Sequence, residues 1–246
     1  NRGVWIDASR RDIEHLFRQR TWLETTLARG WILELGQRGE AAIEGPDGPK
    51  LAPATPHAWL PSFDRAGNAI PLRSTIAAFS QPGPRANGAL IAAAFEILDA
   101  SGIGRLPWFE WGAGYGNLTA AMFSRLGGDG TATEASIAAI LEENGREFFP
   151  SIRTARRSAE ADADHEIDAR MWVIDPPRPG FGRLLESLTH RKSKPEWILA
   201  FHCHAAGLAA DSRILSASGA QLANWSSVDL FPGSAHREVI SLWKVA

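Results

Sequence analysis

Cys203 is the only cysteine in the 246-residue chain, and it ends an apolar run, Trp197-Ile-Leu-Ala-Phe201, that reads as a buried strand. A thiol delivered at a strand end can serve as a nucleophile, and taken alone it reads equally as a small buried hydrophobe. Two further segments bring acids to comparable places. Asp175 closes the apolar run Met171-Trp-Val-Ile174 and opens a rigid turn, Asp175-Pro-Pro-Arg178, which by itself is also what a capped proline turn looks like. Asp229-Leu-Phe-Pro precedes the final apolar run, where His236 and Glu238, two apart in extended chain, would face one way as an acid–base pair.

A glycine-rich loop, Glu110-Trp-Gly-Ala-Gly-Tyr-Gly116, lies between a strand and a helix. In a doubly wound sheet such a turn sits at the carboxyl edge, where ligands bind, and Gly112 and Gly114 let a ligand approach the backbone. The spacing does not fit the dinucleotide fingerprint. Glu110 opening the loop and Glu134 ending the next strand suit a ligand with a ribose and no pyrophosphate, a description that S-adenosylmethionine meets.

The elements that must position these groups alternate. Residues 12–28 show helical spacing up to Gly30, and prolines and glycines punctuate short apolar runs over residues 31–80, suggesting a small irregular β element. From about residue 84 a regular series follows: a helix through Leu90–Leu98, a strand over Leu106–Glu110, a helix over Asn117–Arg125, a strand at Thr131–Thr133 and a helix over Ser136–Phe148. The series continues with strand Met171–Asp175, helix Leu184–His190, strand Trp197–Phe201, helix Leu208–Ser216, and closing strands near Gln221–Asp229 and Glu238–Lys244. Strands alternating with helices predict an α/β fold with a mainly parallel sheet, and two closing strands without a helix between them predict an antiparallel finish. The boundary near residue 75 separates an N-terminal appendage, 1–75, from a larger domain, 76–246.

One cysteine excludes a disulfide framework, a cysteine-ligated cluster and a four-cysteine zinc site, and makes a reducing cytoplasm the expected compartment. No metal is expected, and no apolar run approaches the roughly 18 residues of a membrane span. A net charge of −2 argues against a globally basic nucleic-acid binder, which leaves local runs at Arg153, Arg156 and Arg157 and at Arg191, Lys192 and Lys194 as the basic patches. Because the chain begins at Asn1, it reads as a fragment or a processed product.

Taken in order, the segments over residues 76–246 resemble the catalytic domain of the RNA uracil-5 methyltransferases. Phe79-Ser-Gln81 and Asn87 are similar to the family's F-x-Q-x-N, Glu110 to Asn117 to its cofactor loop, and Asp175-Pro-Pro-Arg-Pro-Gly180 to its D-P-P-R-x-G. Phe201 to Asp211 resembles the nucleophile segment and Asp229 to Glu238 the base segment. The family's S-C-N-P stands here as His202-Cys203-His204-Ala205, and its L-A-R-D as Leu208-Ala-Ala-Asp211. The resemblance implies a class I S-adenosylmethionine-dependent methyltransferase with a Rossmann-like sheet, acting as a monomer on ribosomal or transfer RNA. It implies Cys203 as the nucleophile, Glu238 as the base and Asp175 as a second catalytic group. Gln81, Glu110, Gly112, Gly114, Asn117, Glu134 and Asp175 would then hold the cofactor. A positive neighbour is expected to lower the Cys203 pKa. A methyltransferase for another group and an inactive RNA-binding relative are the alternatives.

Overall fold

A computed structural model describes residues 2–6, 10–36, 39–162, 165–234 and 236–246. Two compact units emerge from the pattern of contacts, one of residues 1–60 and 71–80, the other of residues 61–70 and 81–246.

In the first unit β1 (Gly3–Ile6) runs parallel to β2 (Ile32–Leu35), which continues antiparallel into β3 (Glu40–Ile43) and β4 (Lys50–Pro53). The connection from β1 to β2 carries α1 (Arg10–Arg18) and α2 (Arg20–Ala28). The single helix expected over 12–28 is therefore two, because Gln19 leaves helical geometry at ψ 49° and caps the second. Leu16 and Phe17 from one helix and Leu23 and Leu27 from the other still share one apolar cluster with Leu33 and Leu35. β5 (His57–Ala58) pairs antiparallel with a strand 15 residues downstream that follows the hairpin of β6 (Ser62–Phe63) and β7 (Ala69–Ile70); that partner is β8 (Arg73–Ser74).

The β6–β7 hairpin belongs to the second unit. There α3 (Pro84–Ala100) is followed by β9 (Trp108–Trp111), α4 (Asn117–Leu126), β10 (Gly130–Glu134), α5 (Ala138–Phe148), β11 (Arg153–Arg156) and α6 (Ala159–Asp162). Then come β12 (Met171–Ile174), α7 (Gly182–Glu186), β13 (Trp197–His202), α8 (Ala205–Ala217), β14 (Gln221–Val228) and β15 (Glu238–Lys244). The seven strands stand in the order β11-β10-β9-β12-β13-β15-β14, parallel except where β15 meets β13 and β14. This is the mainly parallel sheet with an antiparallel finish that the alternation predicts. Every residue of β9 and β12 is buried, as a strand covered on both faces requires. Phe109, Trp111, Trp172, Ile174, Ile198 and Ala200, spaced by two along their strands, form one packed face beneath Leu184, Leu188 and Leu215.

Two strands escaped the sequence reading. β1 stands alone between unpatterned residues, and β11 reads Arg-Thr-Ala-Arg, a polar edge strand without apolar alternation. The basic patches also change. Arg191 is buried, stacks over the Trp172 ring at 5.1 Å and donates to the Asp162 carbonyl at 2.8 Å, so it is a packing residue and not a free cation. Arg157 pairs with Asp162, while Arg153, Arg156, Lys192 and Lys194 are exposed. Among the described residues no helix is long and apolar enough to cross a membrane.

A buried amide pair ties the glycine-rich edge to the hairpin. Asn87 on α3 donates to the Asn117 side-chain oxygen at 2.7 Å and receives from the Asn117 amide at 2.8 Å. Asn87 also donates to the Pro61 carbonyl at 2.8 Å, and the Ser62 hydroxyl donates to the Asn117 carbonyl at 2.6 Å. Asn87→Ala strips three side-chain bonds from a fully buried site. The variant is expected to lose about 2–4 kcal/mol in urea unfolding with little change in the m-value.

Candidate active site

The register of β13 and β15 builds the centre. His202 pairs with Val239, so the next residue on each strand, Cys203 and Glu238, come side by side where the ladder ends. On the other flank β12 runs parallel to β13 with Ile174 opposite Ala200, which puts Asp175 at the same carboxyl edge. Glu238 is 3% exposed, whereas Cys203 remains partly open. His236 does not join Glu238: it is exposed in the preceding turn, its ring against Phe231, because the strand starts only at Glu238. The expected acid–base pair is thus a single buried acid.

The electrostatics of this pocket are acidic. Burial, then repulsion from Asp175, pushes the Glu238 carboxyl up to about 7, and burial pushes Asp175 up to about 7. The Cys203 thiol is raised too, first by burial and then by Glu238 and Asp175, with Arg178 pulling weakly the other way. The positive neighbour expected to lower it exists, yet it is outweighed.

The glycine-rich loop lies at the same edge, one strand over. Glu134 at the end of β10 accepts the Gly114 N–H at 3.0 Å and the Ser136 N–H at 2.6 Å, which closes the loop onto the neighbouring strand. Gly112 and Gly114 have φ of 66° and 58°, and a methyl built on Gly114 would meet nothing within 4 Å. The backbone is therefore open to an approaching ligand, with the partly exposed Glu134 beside it. Glu110 faces inward, 2% exposed, and accepts from the Thr119 hydroxyl at 2.6 Å. Burial pushes it up to about 8, against that hydrogen bond and with Asp175 and Glu134 adding to the rise. Asn117 gives its amide to Asn87, and Gln81 is buried just before α3. The structure thus brings together Cys203, Glu238 and Asp175, and separately sets Gly112, Gly114 and Glu134 around an open loop; Glu110 and Asn117 stand behind that loop as its supports.

Of the two histidines beside Cys203, alternation along the strand lets at most one face the side of a substrate. His202 points into the protein, 3% exposed, with its Nε2 3.1 Å from an oxygen of the fully buried Asp211, while His204 is exposed at the start of α8. No local pattern in the sequence signals the pairing of His202 with Asp211, nine residues further on.

Glu110, Asp175 and Glu238 each hold a proton more tightly folded than unfolded. Their contribution to stability is complete below the unfolded carboxyl range of about 4 and is lost as pH rises through values of about 7 to about 8. The urea midpoint is expected to fall between about pH 5.5 and about pH 8.5, and Glu110→Gln to flatten the upper part of that fall. A midpoint that rises over this interval would contradict the burial of these acids.

No family model matches the chain. It is 27% identical to an uncharacterized RNA methyltransferase of Bdellovibrio bacteriovorus over 98% of this chain and 64% of that one. It is 27% identical to the 23S rRNA (uracil(1939)-C(5))-methyltransferase RlmD of Pectobacterium atrosepticum over 67% of this chain and 37% of that one. Among solved structures, the tRNA (uracil-54, C5)-methyltransferase of Pyrococcus abyssi, in complex with S-adenosyl-L-homocysteine, superposes with a TM-score of 0.62 at 16% identity, over 87% of this chain and 50% of that chain. The chain thus spans under two thirds of the length of the curated relatives named. The superposition establishes a class I methyltransferase fold, and the near-complete alignment with an RNA methyltransferase agrees with the ordered motifs. The chain is thus similar in sequence to RNA methyltransferases, a 23S rRNA uracil-C5 enzyme among them, and shares the fold of a tRNA uracil-C5 methyltransferase.

Proposed function

We propose that the second unit is the catalytic part of an S-adenosylmethionine-dependent methyltransferase that forms 5-methyluridine in ribosomal or transfer RNA. The observation that carries this reading is the β13–β15 register, which sets a thiol beside a buried carboxyl whose pKa has moved to about 7. A nucleophile and a base near neutrality are the two groups that substitution at carbon 5 of uracil requires.

The residues at the glycine-rich edge fit the cofactor. Gly112 and Gly114 offer open backbone, and Glu134 presents a carboxylate suited to ribose hydroxyls. Gln81 completes this set, and Glu110 and Asn117 hold the loop through Thr119 and Asn87. When bound, S-adenosylmethionine supplies an electrophilic methyl group.

Carbon 5 of uracil is too weakly nucleophilic to react unaided. The Cys203 thiolate adds to carbon 6, forming a carbon–sulfur bond and moving the ring electrons onto oxygen 4, which makes carbon 5 nucleophilic. Arg178 favours the thiolate, and a proton on Asp175 removes one of the charges opposing it. Asp175 in that form can also donate to the developing oxygen 4 anion. Once carbon 5 carries its methyl group, the Glu238 carboxylate takes the remaining carbon 5 proton; the electrons restore the ring double bond and expel Cys203. The face of the ring must be reached, so the target uridine leaves its stack. A reducing cytoplasm suits such a thiol.

Two experiments test the roles. Cys203→Ala should abolish both turnover and a covalent RNA adduct, whereas Glu238→Gln should halt turnover while a methylated adduct accumulates, read by mass spectrometry after RNA digestion. Retention of methylation by Cys203→Ala refutes covalent catalysis. Glu134→Ala should weaken S-adenosylmethionine binding by about 1.5–3 kcal/mol for each lost charged hydrogen bond, measured by calorimetry.

A further inference from the structure

The reaction above uses Asp175, Cys203, Arg178 and Glu238, and leaves unexplained why a histidine and an aspartate are buried directly behind the nucleophile. Asp211 on α8 is fully buried, and its two carboxylate oxygens accept the Phe181 N–H at 3.1 and 3.0 Å. Phe181 ends the turn that begins at Asp175. The same carboxylate meets the Nε2 of His202, the last residue of β13, at 3.1 Å. The Asp175–Gly180 turn lies so close that a methyl on Gly180, whose φ is 98°, would overlap the Asp211 carboxylate, and one on Gly207 would overlap the Arg178 carbonyl oxygen. His202 Nδ1 has no hydrogen-bond partner among the described residues and is buried. A polar atom left so is costly and is kept where its other contacts hold a site in place.

We propose that His202 and Asp211 form a buried clasp that holds the Asp175–Gly180 turn against the strand end carrying Cys203, which makes His202 a positioning residue for the nucleophile. The clasp joins three pieces of the site: α8 through Asp211, the turn bearing Asp175 and Arg178 through the Phe181 N–H, and β13 through His202. His202, the last residue of β13, is turned inward and buried, and Cys203, the residue that follows it, is partly open, so the anchor and the nucleophile are successive residues with opposite exposure. With the turn held down, Cys203 stays partly covered and keeps Asp175 and Arg178 as electrostatic neighbours, which agrees with a thiol raised mainly by burial. The importance of the clasp for catalysis rests on Cys203 being the nucleophile; its effect on the thiol does not.

The chain has one cysteine, so alkylation by iodoacetamide, with neither RNA nor cofactor present, reads Cys203 alone. His202→Ser removes the bond to Asp211, and His202→Gln restores a donor of similar reach. In His202→Ser, alkylation near pH 8 is expected to quicken at least about threefold and its pH midpoint to move down toward that of a free thiol, about 8.5. Amide exchange in residues 177–183 should quicken with it, and His202→Gln should stay close to the unaltered chain in both. Should His202→Ser fail to fold, Gly180→Ala strains the clasp from the side of the turn and is expected to give the same two changes. Alkylation and exchange unchanged in the folded variant, or altered equally in His202→Gln, would overturn the proposal. Loss of methylation with unchanged alkylation would do so as well, while altered alkylation in a chain that never methylates RNA would uphold the clasp and count against the proposed reaction alone.

Discussion

The antiparallel pairing of β13 with β15 is the constraint on which the site depends. In an otherwise parallel sheet every strand delivers its carboxyl end to one edge, and a base placed there would normally come from another parallel strand. Reversing β15 instead brings its first residue, Glu238, to that edge, opposite the residue that follows the last residue of β13. A shift of one residue in this register would turn Glu238 to the other face and put Val239 or Arg237 beside Cys203 in its place. The long buried pairing from Trp197↔Lys244 to His202↔Val239 holds the register, with Ile198, Leu199, Ala200 and Phe201 on one strand and Ile240 and Leu242 on the other fully enclosed.

This geometry concentrates acid. Asp175 lies within electrostatic reach of both Glu110 and Glu238, and burial is the first cause of the rise in each of the three. Acids raised to about 7 can exchange protons near neutral pH, which an ordinary surface carboxylate, ionised throughout, cannot do as readily. The same acidity works against a thiolate at Cys203, and the turn carrying Arg178 supplies the counterweight. The position of that turn matters to both effects, since it bears Asp175 at one end and Arg178 further along.

Polar contacts in the interior locate the pieces that apolar packing leaves free to slide. The reciprocal Asn87–Asn117 amide pair fixes the start of α4, and with it the glycine-rich loop, to α3, while Ser62 and Pro61 bring the β6–β7 hairpin to the same point. Glu134 closes the loop from the neighbouring strand. Glu110 and Asn117, expected on the strength of motif position to meet a cofactor, bond to Thr119 and Asn87 and so also shape the loop.

Apolar runs such as Met171–Ile174 and Trp197–Phe201, and the helical spacing of Leu90 to Leu98, are local patterns, so the sequence by itself determined the α/β alternation, the carboxyl-edge location of Asp175 and Cys203, and the glycine-rich loop. β11 was illegible because an edge strand facing solvent needs no apolar alternation, and the break at Gln19 because helical spacing continues across it. Arg191 looked like a surface cation because its charge is local, whereas its burial over Trp172 depends on a ring 19 positions away. His236 and Glu238 share a direction only if both lie in a strand, and where β15 begins is set by pairing with β13 and β14. Only the tertiary structure decided which carboxyls are buried, that Glu238 comes beside Cys203 without His236, and that His202 meets Asp211, because each of these depends on contacts between segments whose register no local pattern encodes.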